Sequence, residues 1–138
     1  MQLQQFLSEI LPDTGVKFLV LDATNHEAHT SLDTLIDAAH TGSANGNNVY
    51  FACASYKQAK YTDSHGKERR RTQENVAAVK AFWLDIDCRG GKDYPSISDA
   101  ITAIAVLKKS TGFPSPIMVN SGGGLHCYWP IKEAIAEP

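Results

Sequence analysis

The chain has 138 residues, a net charge of -2, 43% hydrophobic residues and 20% charged ones. This is ordinary for a soluble globular protein, and long enough for one domain, or part of a larger one, with a real core. The near-neutral balance excludes a molecule that is basic all over, so any contact with nucleic acid must come from a local patch. No apolar run approaches 18 residues, and the N-terminus Met1-Gln2-Leu3-Gln4-Gln5 is polar. The expectation is therefore no membrane span, no signal peptide and a cytoplasmic location, bacterial or in a host cell. Three cysteines without close pairing, Cys53, Cys88 and Cys127, fit buried free thiols in a reducing compartment.

Leu3, Phe6, Leu7, Ile10 and Leu11 recur at helical spacing, and Pro12 closes that helix. Lys17–Leu21 is a short apolar run that predicts a buried strand. Thr30 or Ser31 can cap a second helix with Leu32, Leu35, Ile36 and Ala39 as its apolar stripe. Gly42 to Asn48 is turn chemistry, and Val49–Ala54 reads as the next strand. The order helix, strand, helix, strand suits an α/β unit.

Residues 56–75 break this pattern. Lys57, Lys60, Lys67, Arg69, Arg70 and Arg71 stand against only Asp63, Glu68 and Glu74. The stretch reads as a mobile loop or an extended hairpin. Two roles stay open: a solvated surface loop, or a basic finger in which Lys67, Arg69, Arg70 and Arg71 touch nucleic-acid phosphates.

Val76–Asp87 leads into Phe82-Trp83-Leu84-Asp85-Ile86-Asp87, which reads as a buried strand. Strand alternation puts Trp83, Asp85 and Asp87 on one face and Phe82, Leu84 and Ile86 on the other. Two carboxylates on one face of an apolar strand repel and lose hydration. A divalent cation with hard-oxygen preference, Mg²⁺ or Mn²⁺, is the usual remedy. The bland alternative is an Asp-x-Asp with no metal. Cys88-Arg89-Gly90-Gly91-Lys92 is a turn with two cations beside the acids.

Ser96 or Ser98 can cap a helix over 97–110, with Ile97, Ala100, Ile101, Ile104 and Leu107 inward and Gly112 and Pro114 as the stop. Pro116–Asn120 and Leu125–Ile131 read as strands joined by the turn Ser121-Gly122-Gly123-Gly124. Glycines there let backbone N–H groups approach an anion, and His126 on the returning strand can donate to phosphate oxygens. A lone strand histidine is more often structural, and the combination with the carboxylate strand carries the functional reading. Zinc is a weaker option, because His26 and His29 are three apart with no second ligand pair at such spacing. The tail Lys132–Pro138 closes no recognisable element.

Phe82-Trp83-Leu84-Asp85-Ile86-Asp87, a helix, then Asn120-Ser121-Gly122-Gly123-Gly124-Leu125-His126-Cys127-Tyr128-Trp129-Pro130 resembles the archaeo-eukaryotic primase superfamily. The likeness is closest to primase-polymerase domains of phage and plasmid replication proteins, often fused to a helicase. It is detailed over 75–130 and diffuse before 48. The resemblance implies an α/β (α+β) fold, with an N-terminal αβ part (1–75) packed on the first part of an RNA-recognition-motif-like catalytic sheet (76–138). It implies that Asp85 and Asp87 bind Mg²⁺ or Mn²⁺. It also implies that His126, with Ser121, Gly122, Gly123 and Gly124, holds a nucleoside triphosphate. Template-directed nucleotidyl transfer on single-stranded DNA would follow, with a helicase as a further partner. A third family carboxylate is expected beyond the second motif, and neither Glu133 nor Glu137 sits in a hydrophobic strand context. The chain therefore reads as a single incomplete domain, a fragment or a degenerate member. Two other classes remain: a nucleotide or nucleic-acid binding module without turnover, and a metal-dependent glycosyltransferase with an Asp-x-Asp.

Overall fold

Helical spacing at the N-terminus forms α1 (Leu3–Ile10), which buries Phe6, Leu7 and Ile10. The apolar run after it forms β1 (Lys17–Leu21). These belong to the computed structural model of the chain, which describes residues 1–92 and 94–136. The protein is mixed α/β, and its described strand registers are antiparallel. It divides into two compact units: Met1–Lys80 with the chain from Lys132 on, and Ala81–Ile131.

In the first unit β1 lies between β2 (Asn25–His29) and β3 (Val49–Phe51). Sequence reading left β2 out, because it is short and polar and its turn lacks the usual Asn-Gly. Asp22 and Ala23 both take positive φ, 49° and 62°, the geometry of a tight hairpin with primed-turn twist. Alanine resists that conformation. The turn is supported by Asp22, whose carboxylate accepts from Asn47 Nδ2 at 2.6 Å and from the Asn48 amide at 2.8 Å. Those two bonds also hold the Asp22 carboxyl below its usual range.

The second helix, α2 (Leu32–Ala44), starts at Ser31, whose Oγ accepts from the Thr34 amide. It runs through Gly42, so the turn expected over 42–48 begins only at Asn45. Gly42 stays helical because Leu21 presses against it: a Cβ there would meet Leu21 Cδ2 at 2.7 Å. The expected strand Val49–Ala54 is two strands. β3 ends at Phe51, and β4 (Ala54–Tyr56) pairs with the start of β7 (Val76–Asp87). The break lies where the chain changes sheet, β3 pairing with β1 and β4 with β7, and Ala52 and Ala54 join Phe18 and Tyr56 in one core. Lys17, buried on β1, points its ammonium at the carbonyls of Asp13 and Gly15, and burial lowers its pKa.

The basic stretch is a hairpin, not a mobile loop. β5 (Tyr61–Thr62) pairs with β6 (Glu68–Arg69), and a short 3-10 turn follows at Gln73–Asn75. Buried Asn75 closes its base. Its Nδ2 donates to the Arg70 carbonyl at 2.6 Å and the Gln58 carbonyl at 2.8 Å, and its Oδ1 accepts from the Gln58 amide at 3.1 Å.

In the second unit β7 leads through α3 (Ile97–Thr111) to β8 (Ile117–Asn120), and β9 (Gly124–Ala136) returns between them, giving the order β7-β9-β8. Ser96 caps α3, and Gly112 ends it at φ 75°. The core here is Ile86, Ala100, Ile104, Leu125, Cys127 and Trp129. Trp129 donates its indole N–H to the Pro114 carbonyl at 3.0 Å and meets Phe113 edge-on. Ile101, expected inward, is exposed, because the stripe that packs is Ala100 and Ile104 with Ile97 and Leu107 beside it. The tail, expected to form no element, continues β9 to Ala136. No helix among the described residues is long and apolar enough to cross a membrane.

Replacing buried Asn75 with alanine takes the side-chain partner from three backbone groups of Gln58 and Arg70, each bond worth about 0.5–1.5 kcal/mol. Asn75→Ala should destabilise the chain by roughly 2–3 kcal/mol or more in urea melts. It should also deprotect the Gln58 amide in hydrogen exchange.

Candidate active site

β7 brings the two carboxylates to one face as alternation requires, and β9 lays His126 on that same face. The imidazole Nε2 lies 3.3 Å from Asp85 Oδ1. The neighbouring acid has a different partner: Lys92 Nζ lies 3.2 Å from Asp87 Oδ2. Behind this face Ile86, Leu125 and Cys127 enter the core.

The strand itself is not buried as expected. Phe82, Trp83 and Leu84 are exposed, and the side chains of Asp85 and Asp87 are 69% and 61% accessible. The desolvation that would have forced a proton or a metal onto the pair is therefore absent. What the arrangement offers instead is two hydrated carboxylates, each lightly held by a neighbouring base.

The glycine turn is built for close approach. A Cβ on Gly124 would collide with the Ile86 carbonyl oxygen and crowd Asp87 Cα. Gly122 has φ 84°, which only glycine adopts freely. The Cys88 amide donates to the Gly123 carbonyl at 2.9 Å, which ties the acidic strand's end to the turn. Two of the turn's amides are spent internally: Ser121 N–H donates to the Gly124 carbonyl and Gly122 N–H to Asn120 Oδ1. Side-chain donors stand beside the turn as well. Arg89 supplies one that sequence reading noticed beside the acids but did not assign. Its guanidinium lies against Gly123, where a Cβ would come within 2.7 Å of Nη2. Alongside Leu84–Asp87 runs an open groove of about 410 Å³, walled by Tyr94, Ile104 and Leu107, with Lys92 at its edge.

The basic residues of the hairpin belong to the first unit, and several are already paired. Arg69 Nε donates to Asp63 Oδ2 at 2.8 Å, while Asp63 Oδ1 caps the His65 and Lys67 amides. Arg69 and these amides hold the Asp63 carboxyl below its usual range. Lys60 and Arg70 face Glu68 at 3.1 and 3.6 Å. Arg70 also donates to the His26 carbonyl, and Arg71 Nε donates to His26 Nδ1 at 3.1 Å. His26 and His29 alternate across β2 and so point to opposite faces, which removes them as a zinc pair. Among the described residues no three histidine, cysteine or acidic side chains gather as a metal cluster. Glu133 is exposed on β9, and Glu137 lies outside the described residues. Burial raises the Cys53 thiol to about 11 and pushes Cys127 up as well, as inert core thiols should behave.

Searched against protein-family models, curated proteins and solved structures, the chain matches none.

Two predictions follow from this geometry. Gly124→Ala drives a methyl into backbone, and overpacking of that kind costs about 1–3 kcal/mol or more. Gly123→Ala displaces only the tip of Arg89, so its urea midpoint should stay near that of the parent. The second concerns His26, whose pKa is lowered from 6.5, first by burial and then by Arg71 and Arg70. Its contribution to stability is complete above pH 6.5 and is lost as pH falls from there through the lowered folded value. His26→Gln should flatten that acid-side decline in thermal melts between pH 7 and 5.

Proposed function

We propose that the chain is a primase-polymerase-like nucleotidyl-transfer domain, acting on nucleoside triphosphates with a single-stranded DNA template. The observation that carries this is the 3.3 Å approach of His126 Nε2 to Asp85 Oδ1, which joins the Asp-x-Asp strand to the Gly-Gly-Gly-Leu-His turn. The strand order β7-β9-β8, with α3 crossing from β7 to β8, supports the reading. A split strand-helix-strand of this kind is the first part of an RNA-recognition-motif-like sheet.

The donor set suits a hard divalent cation: two hydrated carboxylates at alternate positions of one strand, open on one side. Asp85 and Asp87 would hold Mg²⁺ or Mn²⁺, which when bound neutralises phosphate charge and lowers the pKa of the attacking hydroxyl. The chain's own groups do the positioning. Asp85 fixes the His126 ring from one side. With Nε2 facing Asp85, the protonated imidazole presents its Nδ1–H to a phosphate oxygen, while the small Gly122 keeps the approach open. Lys92 balances Asp87 until substrate or cation arrives. A cytoplasmic replication setting with a helicase partner belongs to the same proposal.

A binding module without turnover is the second reading. It is favoured by the lack of a third ligand beside Asp85 and Asp87 among the described residues.

Primer synthesis and primer extension on single-stranded DNA with Mn²⁺ separate the two. Activity should fall to the level of the protein-free control in Asp85→Asn and Asp87→Asn, and sharply in His126→Ala. Triphosphate binding with no extension by the parent would favour the binding module. Stabilisation in a thermal shift by nucleotide sugars, with none by deoxynucleotides, would sink both.

A further inference from the structure

Arg89 stands two residues beyond Asp87, the end of the acidic strand. Asp85, Asp87 and Arg89 occupy every second position, while Ile86 and Cys88 turn to the core side. Just past the end of β7 the Cys88 amide pairs with the Gly123 carbonyl, which brings the next residue to the glycine turn. The guanidinium then lies over Gly123, close enough that a side chain there would displace it: Nη2 is 2.7 Å and Nε 3.0 Å from a Cβ built at that position. Glycine at 123 is therefore a seat for Arg89.

The fork has no carboxylate partner among the described residues. The two acids that share its parity are engaged elsewhere, Asp85 by His126 and Asp87 by Lys92. It is exposed to solvent. The amides of Ser121 and Gly122 are used within the turn, and Arg89 adds a cationic side-chain donor beside it. A planar guanidinium without a carboxylate partner among the described residues, lying against a glycine turn three residues before His126, suits an oxyanion with several oxygens.

We propose that Arg89 binds the polyphosphate tail of a nucleoside triphosphate, with His126 as its neighbour. This rests on the nucleotide-site reading above and extends it to a residue outside the two motifs. The same chemistry would suit the phosphates of a nucleic-acid strand, and the proposal commits to the triphosphate.

The test is calorimetric or fluorescence titration of the full chain with deoxyadenosine triphosphate, inorganic tripolyphosphate, adenosine and a single-stranded oligonucleotide. Parent, Arg89→Met, Arg89→Lys and Gly123→Ala are compared, with circular dichroism as the check on folding. Arg89→Met should weaken both triphosphates about tenfold or more, the scale of a lost charge-assisted hydrogen bond. Arg89→Lys should recover only part, since it restores charge without the fork. Gly123→Ala, which leaves Arg89 in place but unseats it, should fall between parent and Arg89→Met, and it carries the test if Arg89→Met misfolds. Equal triphosphate affinity in parent, Arg89→Met and Gly123→Ala would overturn the assignment and leave the nucleotide site standing. A loss confined to the oligonucleotide would overturn it in favour of a strand contact. No binding of either triphosphate by the parent would remove the assignment and the nucleotide reading together.

Discussion

The approach of β9 to β7 at Gly124 governs the second unit. The backbone there comes so near the Ile86 carbonyl that no side chain fits at position 124. Because strands alternate with period two, that one contact sets the register of everything after it. Leu125, Cys127 and Trp129 enter the core with Ile86, and His126 comes up beside Asp85. A slip of one residue would place His126 in the core and Cys127 among the carboxylates. Packing and chemistry in this unit are thus held by the same glycine.

The electrostatics of that face are loose rather than strained. Asp85 and Asp87 are largely exposed, and their contacts with His126 and Lys92 lie in water-accessible surroundings. Pairs of this kind are worth about 0–1 kcal/mol each, so a ligand can displace them at little cost. A buried ion pair would be harder to open. The arrangement suits groups that must exchange partners when an anion or a cation arrives.

The first unit uses polar side chains in the opposite way, to close loops. Asp22 secures a hairpin turn with unfavourable backbone angles, Asp63 caps the tip of the basic hairpin, and Asn75 seals its base. Each satisfies two or more polar groups with one short side chain. The result is that a stretch dense in lysine and arginine is folded and internally paired, with Arg69 committed to Asp63 and Arg71 to His26.

The amino-acid order by itself determined the elements whose signals are local. Apolar spacing and caps defined α1, α2 and α3, with Ser31, Ser96 and Gly112 as end signals. Short apolar runs marked β1 and β8, and the motifs Asp85-Ile86-Asp87 and Gly122-Gly123-Gly124-Leu125-His126 were legible as candidate chemistry. Tertiary structure alone decided what depends on neighbours distant in the chain. It ended β3 at Phe51, where the chain leaves its pairing with β1 for one with β7, and it paired the polar segment β2 with β1. It also exposed Asp85 and Asp87, since alternation states which face a residue shares but not whether that face is covered. The same holds for Arg89, whose guanidinium comes to lie against Gly123, far along the chain, only through the fold.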